Sequence, residues 1–292
     1  MTEPVQRLAR QRLEVAERRL ARTPAISLAQ TGRAFWRYPS PWIISGYLVA
    51  ALVARLAVGD WAWADLLAPL AFLVVFPVVE WLIHVFILHW RPRVVAGVEV
   101  DTLLARDHRR HHADPRDVPL VFIPWRALLW VVVLPGLAVP IGIGSLVGAD
   151  VSVTLSFVLT LAVVLLAYEW THYVIHSDHK PRTRVYKAVW RNHRLHHYKS
   201  EHYWFSVTTS GTSDRLLGTY PDPATVLTSP TAKDLHGLAG GAGHLRRAPA
   251  SVVPGVRQRA RRLGVGAAAG VESDPGARRA LRRHGRGPGI GW

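Results

Sequence analysis

The chain has 292 residues, 49% of them hydrophobic, and a mean hydropathy of +0.12, which is too apolar for an ordinary soluble domain. Only 19% of residues are charged, yet 36 Lys and Arg against 20 Asp and Glu leave a net charge of +16, a surplus that suits an anionic membrane surface or nucleic acid. Cysteine is absent, which excludes disulfides, thiolate zinc sites, Cys-ligated iron–sulfur clusters and a Cys nucleophile, so any metal must be held by nitrogen and oxygen.

Residues 1–41 are polar and basic, with eight Arg, and no cleaved signal peptide is expected there. Val5, Leu8, Leu13, Ala16 and Leu20 recur at roughly helical spacing among arginines, the pattern of a helix lying on a membrane surface or of a solvated arm. Four apolar stretches follow, about Trp42–Val58, Leu66–Leu88, Ala127–Val147 and Val151–Ile175, each near the 20 or so residues a bilayer-spanning helix needs. Pro135, Gly136, Pro140, Gly142 and Gly144 predict a kink or break in the third, and Arg55 near the end of the first is expected to snorkel to the interface. The links around 59–65 and 145–150 carry Asp60, Asp65 and Asp150 and no Lys or Arg. The positive-inside rule therefore puts the N-terminus, the 89–126 loop and everything after Ile175 in the cytoplasm. Of the 36 basic residues 32 are Arg, a bias that points to a GC-rich bacterial genome and hence to a bacterial plasma membrane. The expected fold is all-α: an integral membrane protein of about four transmembrane helices with a cytosolic helical cap.

Ten of the fifteen His fall into four boxes: His84-x4-His89, His108-x2-His111-His112, His172-x3-His176 and His193-x2-His196-His197. Two sit where an apolar helix reaches the cytoplasmic side and two follow in cytoplasmic segments, so all four share one membrane face. Residues three or four apart lie on one helix face, which lets His108 with His111 or His112, His172 with His176, and His193 with His196 or His197 converge on a metal. His84 and His89 are five apart and converge only if the helix ends or carries a π-bulge between them. Buried imidazoles without partners cost a few kcal/mol each, so ten in register call for metal, and they are too many for one ion. Glu80, four before His84, and Glu169, three before His172, are either ligands or carboxylates that orient an imidazole. His202 lies near the fourth box, whereas His236, His244 and His284 are expected to face solvent.

From about Gly237 the chain is rich in Gly, Ala, Arg and Pro without apolar periodicity, and residues 231–292 hold twelve Lys and Arg against three acids. This tail supplies more than half the net charge, which removes the case for a nucleic-acid partner. The domain reading is a basic N-terminal segment (1–41), a membrane domain with four boxes (42–225), and a basic, disordered tail (226–292).

The order and spacing of the boxes resemble the fatty acid hydroxylase superfamily of membrane di-iron oxygenases. Glu169-Trp170-Thr171-His172-Tyr173 and Asp214-Arg215-Leu216-Leu217-Gly218-Thr219-Tyr220 resemble that family around and after its last boxes, most closely in the fatty acid 2-hydroxylase and sterol desaturase type. The similarity covers about residues 40–225. It departs from the 2-hydroxylase branch at Ser213, at Leu217 and over His202-Tyr203-Trp204-Phe205. The resemblance implies a helical membrane scaffold whose cap binds two iron ions, with zinc able to substitute, through the ten boxed His. Glu80, Glu169, Asp214 and His202 are candidate supports for those ligands. It further implies O2, a lipid substrate of fatty acyl, sterol or carotenoid type, and a separate electron-transfer protein, either cytochrome b5-like or a ferredoxin with its reductase. A desaturase with the same metal centre and a metal-transporting membrane protein are the competing readings.

Overall fold

The computed structural model describes residues 26–237, and these form one mostly helical body. Short helix α1 (Leu28–Phe35) begins with a capping box, in which Ser27 and Gln30 bond each other's backbone N–H. Helix α2 (Pro39–Val58) starts on Pro39 and Pro41, where a missing N–H costs nothing, and stops at Gly59 with φ of 63°. Helix α3 (Ala64–Leu82) runs on without interruption into a π-helical turn, Ile83–Leu88. Helix α5 starts at Trp125–Ala127, passes through a π-helical stretch, Leu128–Val133, and continues as Leu134–Val147. Helix α6 (Val151–His176) is the longest and packs against the other three spans.

Together these segments give four helices long and apolar enough to cross a bilayer: Pro39–Val58, Ala64–Leu88, Val118–Val147 and Val151–His176. Their outward faces are apolar, as with Leu67, Val74 and Trp130, which is what hydrocarbon contact requires. The protein is thus an all-α integral membrane protein. Three differences from the sequence reading are informative. Pro135 and Pro140 do not break the third span, because the π-helical stretch absorbs the lost hydrogen bonds ahead of Pro135 and the chain stays helical. Arg55 does not snorkel. It is buried and pairs with Asp65 at 2.9 Å, donates to Ser156 Oγ at 2.8 Å and stacks on Trp61, so neighbouring spans supply the partners that water would have given. A two-stranded hairpin, β1 (Arg93–Val95) with β2 (Val98–Val100), follows the second span, turning on Ala96 and Gly97, both at positive φ.

Two polar ties close the bundle, one at each end. At the end away from the imidazoles Arg55 joins α2 to Asp65 of α3 and Ser156 of α6. At the other end Glu169 of α6 accepts from Ser40 of α2 and, at 3.0 Å, from the backbone N–H of Ile123 just before α5. The cap is built on α4 (Leu103–Ala113) and α7 (Arg184–Tyr198), capped by Thr102 and Thr183, and on the short helix α8 (Thr212–Leu216). The surface helix expected between Val5 and Leu20, and His244 and His284, lie outside the described residues.

Candidate metal centre

Span ends and cap helices bring all ten boxed His together, and their ring nitrogens fall into two groups of five. The first is His84, His89, His108, His112 and His196, and the second is His111, His172, His176, His193 and His197. Within each group the available nitrogens lie within 4.8 Å of one another. The i, i+4 pairs His108–His112, His172–His176 and His193–His197 each stay in one group, as helix geometry dictates. The remaining residue of each double-His box crosses over, His111 to the second group and His196 to the first. Helices α4 and α7 therefore each serve both groups. His84 and His89 meet because the chain between them is the π-helical turn, in which the His89 N–H bonds the His84 carbonyl at 3.0 Å.

The chemistry of the donors fits a metal. Buried Nε2 atoms of His84, His108, His112 and His172 have no hydrogen-bond partner. In the second group His193 Nε2 lies 3.0 Å from both His176 Nε2 and His197 Nε2, and His176 Nε2 lies 3.2 Å from His111 Nε2. A neutral imidazole carries one N–H, so a single hydrogen on His193 cannot serve two facing nitrogens. Lone pairs that converge in this way need a cation between them. Burial first, and then the neighbouring imidazoles, hold His89, His108, His111, His112, His193 and His197 well below their ordinary pKa, and burial brings His196 to about 4. The rings are neutral at physiological pH, the form that ligates.

Backbone carbonyls fix the tautomers. His84 Nδ1 donates to Phe205 O at 2.7 Å, His196 Nδ1 to Tyr203 O at 2.8 Å and His112 Nδ1 to Ala232 O at 2.9 Å, turning each Nε2 inward. Two of these carbonyls flank Trp204, a fully buried residue at φ of 57°. Left-handed backbone at a bulky residue costs of order 1–3 kcal/mol, and here it lets the carbonyls before and after Trp204 serve two imidazoles of one group. Asp214 holds the segment by accepting from the N–H groups of Phe205 and Ser206, each at 2.9 Å. Gly211 stands just before it at φ of 93°, where a Cβ would come within 2.4 Å of the Tyr220 ring.

Two of the acids read as imidazole supports, Glu80 and Glu169, hydrogen-bond elsewhere. Glu80 accepts from the N–H groups of Val207 and Thr208, each at 2.9 Å, and from the Thr208 hydroxyl at 2.7 Å. It ties α3 to the loop beyond Phe205 and touches no imidazole. Glu169 is the bundle tie already described. His202 is exposed and lies 3.5 Å from Glu201. His236 is not free in solvent, since its Nε2 lies 3.0 Å from the His89 carbonyl. The segment assigned to a disordered tail thus closes on the centre between 231 and 237, where Ala232 and Leu235 are buried. The carbonyls of Tyr203, Phe205 and Ala232 carried no sequence signal, because every residue type has one.

An apolar cavity of about 290 Å³ lies among the four spans and reaches the first His group. Tyr47, Phe72, Phe76 and Leu165 line its depth, and Tyr168, Glu80 and His84 its polar end.

Residues 69–219 match the family model described as fatty acid hydroxylase. A solved structure titled as full-length Scs7p with only its hydroxylase domain visible has the same fold, with a TM-score of 0.51 at 18% identity over 65% of this chain and 70% of that one. Comparison with curated proteins gave no match.

Proposed function

The chain belongs to the fatty acid hydroxylase family, and on that premise we propose that it is a membrane di-iron oxygenase that hydroxylates a C–H bond of a lipid, with O2 as oxidant and electrons from a separate carrier protein. The observation that carries this reading is the apolar cavity, which rises between the spans to end against His84 of the first imidazole group. A lipid tail can follow that path from the bilayer without crossing water.

The balance is simple. Substrate R–H, O2, two electrons and two protons give R–OH and water. His84, His89, His108, His112 and His196 would hold one iron ion and His111, His172, His176, His193 and His197 a second, and the pair would supply the activation of O2. Everything else falls to the chain. The cavity aligns the alkyl portion and excludes water, while Phe205, Tyr203 and Ala232 hold the imidazoles in the ligating tautomer. Tyr168 presents its phenol at the cavity's polar end. The centre sits on the cytoplasmic side of a bacterial plasma membrane, because both outer links lack Lys and Arg. The membrane domain runs from about 42 to 225 with the closing segment through 237, and it is preceded by a basic N-terminal segment, 1–41.

The test is lipid analysis after incubating the iron-loaded protein in bilayers with lipid extract, a reductant and labelled dioxygen. A lipid that gains one labelled oxygen supports the assignment. A product that has only lost two hydrogens assigns desaturation instead, and no oxidised lipid with iron bound refutes both.

A further inference from the structure

Helix α7 supplies three imidazoles and carries no acidic residue at all. His193, His196 and His197 occupy its buried face. Arg184, Lys187, Arg191 and Arg194 recur at spacings of three, four and three, which at 100° per residue confines them to an arc of about 80°, nearly opposite the imidazoles. Among the described residues none of the four is ion-paired with a carboxylate. Arg191 donates to Tyr220 Oη at 3.1 Å, and Arg194 lies over the Trp190 and Tyr198 rings. Two further exposed cations extend the patch, Arg215 over Tyr220 and Lys233 over Tyr198. A solvated helix normally mixes signs along such a face. Six cations without an acid among their partners in the described residues form a surface that attracts anions.

The direction of this face selects the anion. The imidazoles of α7 meet His84, His172 and His176, which come from span ends, so the opposite face of α7 turns away from the membrane. That orientation disfavours lipid headgroups and favours a soluble partner. At Arg191 and Arg194 only the width of one helix, about 10–12 Å, separates the stripe from the imidazoles of α7, which belong to both groups. We propose that the Arg184–Lys187–Arg191–Arg194 stripe of α7 is the docking surface for an acidic one-electron carrier protein, which delivers electrons across α7 to the two imidazole groups. The inference rests on the hydroxylase reading, since that reaction consumes two electrons per turnover and each docking event delivers one.

The test compares full-length protein in nanodiscs of neutral phosphatidylcholine. The stripe variant is Arg184→Gln with Lys187→Gln and Arg191→Gln, and the control removes equal charge elsewhere by Arg33→Gln with Arg37→Gln and Arg93→Gln. The probes are an acidic cytochrome b5 haem domain and an acidic [2Fe–2S] ferredoxin. At least one should bind the unmodified protein, less tightly as salt rises, with affinity falling tenfold or more in the stripe variant and under twofold in the control. Equal affinities in both variants, or no binding of either carrier to the unmodified protein, overturn the proposal. A stripe variant that loses only binding to phosphatidylserine vesicles reassigns the surface to lipid and also overturns it. Lipid oxidation driven by a small-molecule reductant, reduced methyl viologen, separates this inference from the reaction. The stripe variant should then match the unmodified protein. If neither oxidises lipid, the hydroxylase reading fails while the binding comparison still decides the docking surface.

Discussion

The Nδ1–H of His84 donates to the Phe205 carbonyl at 2.7 Å, across 121 residues of sequence. That carbonyl is held in turn by Asp214, which accepts from Phe205 N–H and Ser206 N–H and from the Thr219 hydroxyl at 2.7 Å. Asp214 thus acts on the first imidazole group without touching it. Asp214→Ala leaves two buried N–H groups unpaired and frees the loop. Supports of this kind typically change metal affinity by about 10–100-fold. The variant should bind metal that much more weakly by chelator competition, with helical circular dichroism retained. Unchanged affinity would remove Asp214 from the account.

Because each double-His box is divided between the groups, single substitutions should empty one group before the other. His196→Ala and His108→Ala should lower metal content by about one ion per chain through the first group, and His111→Ala and His197→Ala through the second. Elemental analysis of purified protein measures this. His202→Ala is the control, since His202 is exposed and meets only Glu201. Equal loss of both ions in all four variants would show a single cooperative site.

The chain after 225 divides at Gly237. A truncation after Pro230 removes Ala232, which receives the His112 hydrogen bond, and His236, which lies against the His89 carbonyl. It should lose metal sharply. A truncation after Gly237 leaves each of these contacts in place and should keep its metal. If the shorter protein retains full occupancy, the 231–237 segment does not close the centre.

Glu80 offers a stability test independent of chemistry. Its carboxylate satisfies two backbone N–H groups and one hydroxyl of the 207–208 loop. In Glu80→Ala the buried Val207 N–H loses its acceptor, at about 1–3 kcal/mol, and the half-buried Thr208 donors lose theirs at a smaller cost. The variant should melt at clearly lower temperature, whereas Glu80→Gln, which keeps one acceptor oxygen, should fall between it and the unmodified protein.

Much of this was legible in the sequence because it is local. Apolar runs give the spans, and spacings of three and four put imidazoles on one face of a helix. The five-residue gap between His84 and His89 required either a helix end or a π-bulge, and the structure has the π-helical turn. What was not legible is non-local. Nothing in His108-x2-His111-His112 says that His111 faces the other group, since that depends on where α6 lies. Glu80 and Glu169 stand at helical spacing from His84 and His172, yet their partners are Thr208 and Ser40, more than a hundred residues away. The hairpin leaves no clear sequence signal, because strands of three residues, Arg93–Val95 and Val98–Val100, are too short to show an alternation.

The central claim is that a dimetal centre held by the two imidazole groups, with an apolar cavity ending at the first of them, oxygenates a lipid. Gly136 lines that cavity beside Tyr47, whose hydroxyl donates to its carbonyl at 3.1 Å, and a side chain there would fill the space a lipid tail needs. The most direct measurement follows labelled dioxygen into bilayer lipid by mass spectrometry, in the iron-loaded protein and in Gly136→Leu, with metal content determined in both. The account predicts one labelled oxygen in a lipid product of the unmodified protein, and a loss or chain-length shift of that product in Gly136→Leu at unchanged metal content. Iron-loaded protein that places no label in any lipid, or a Gly136→Leu variant with identical products, would contradict it.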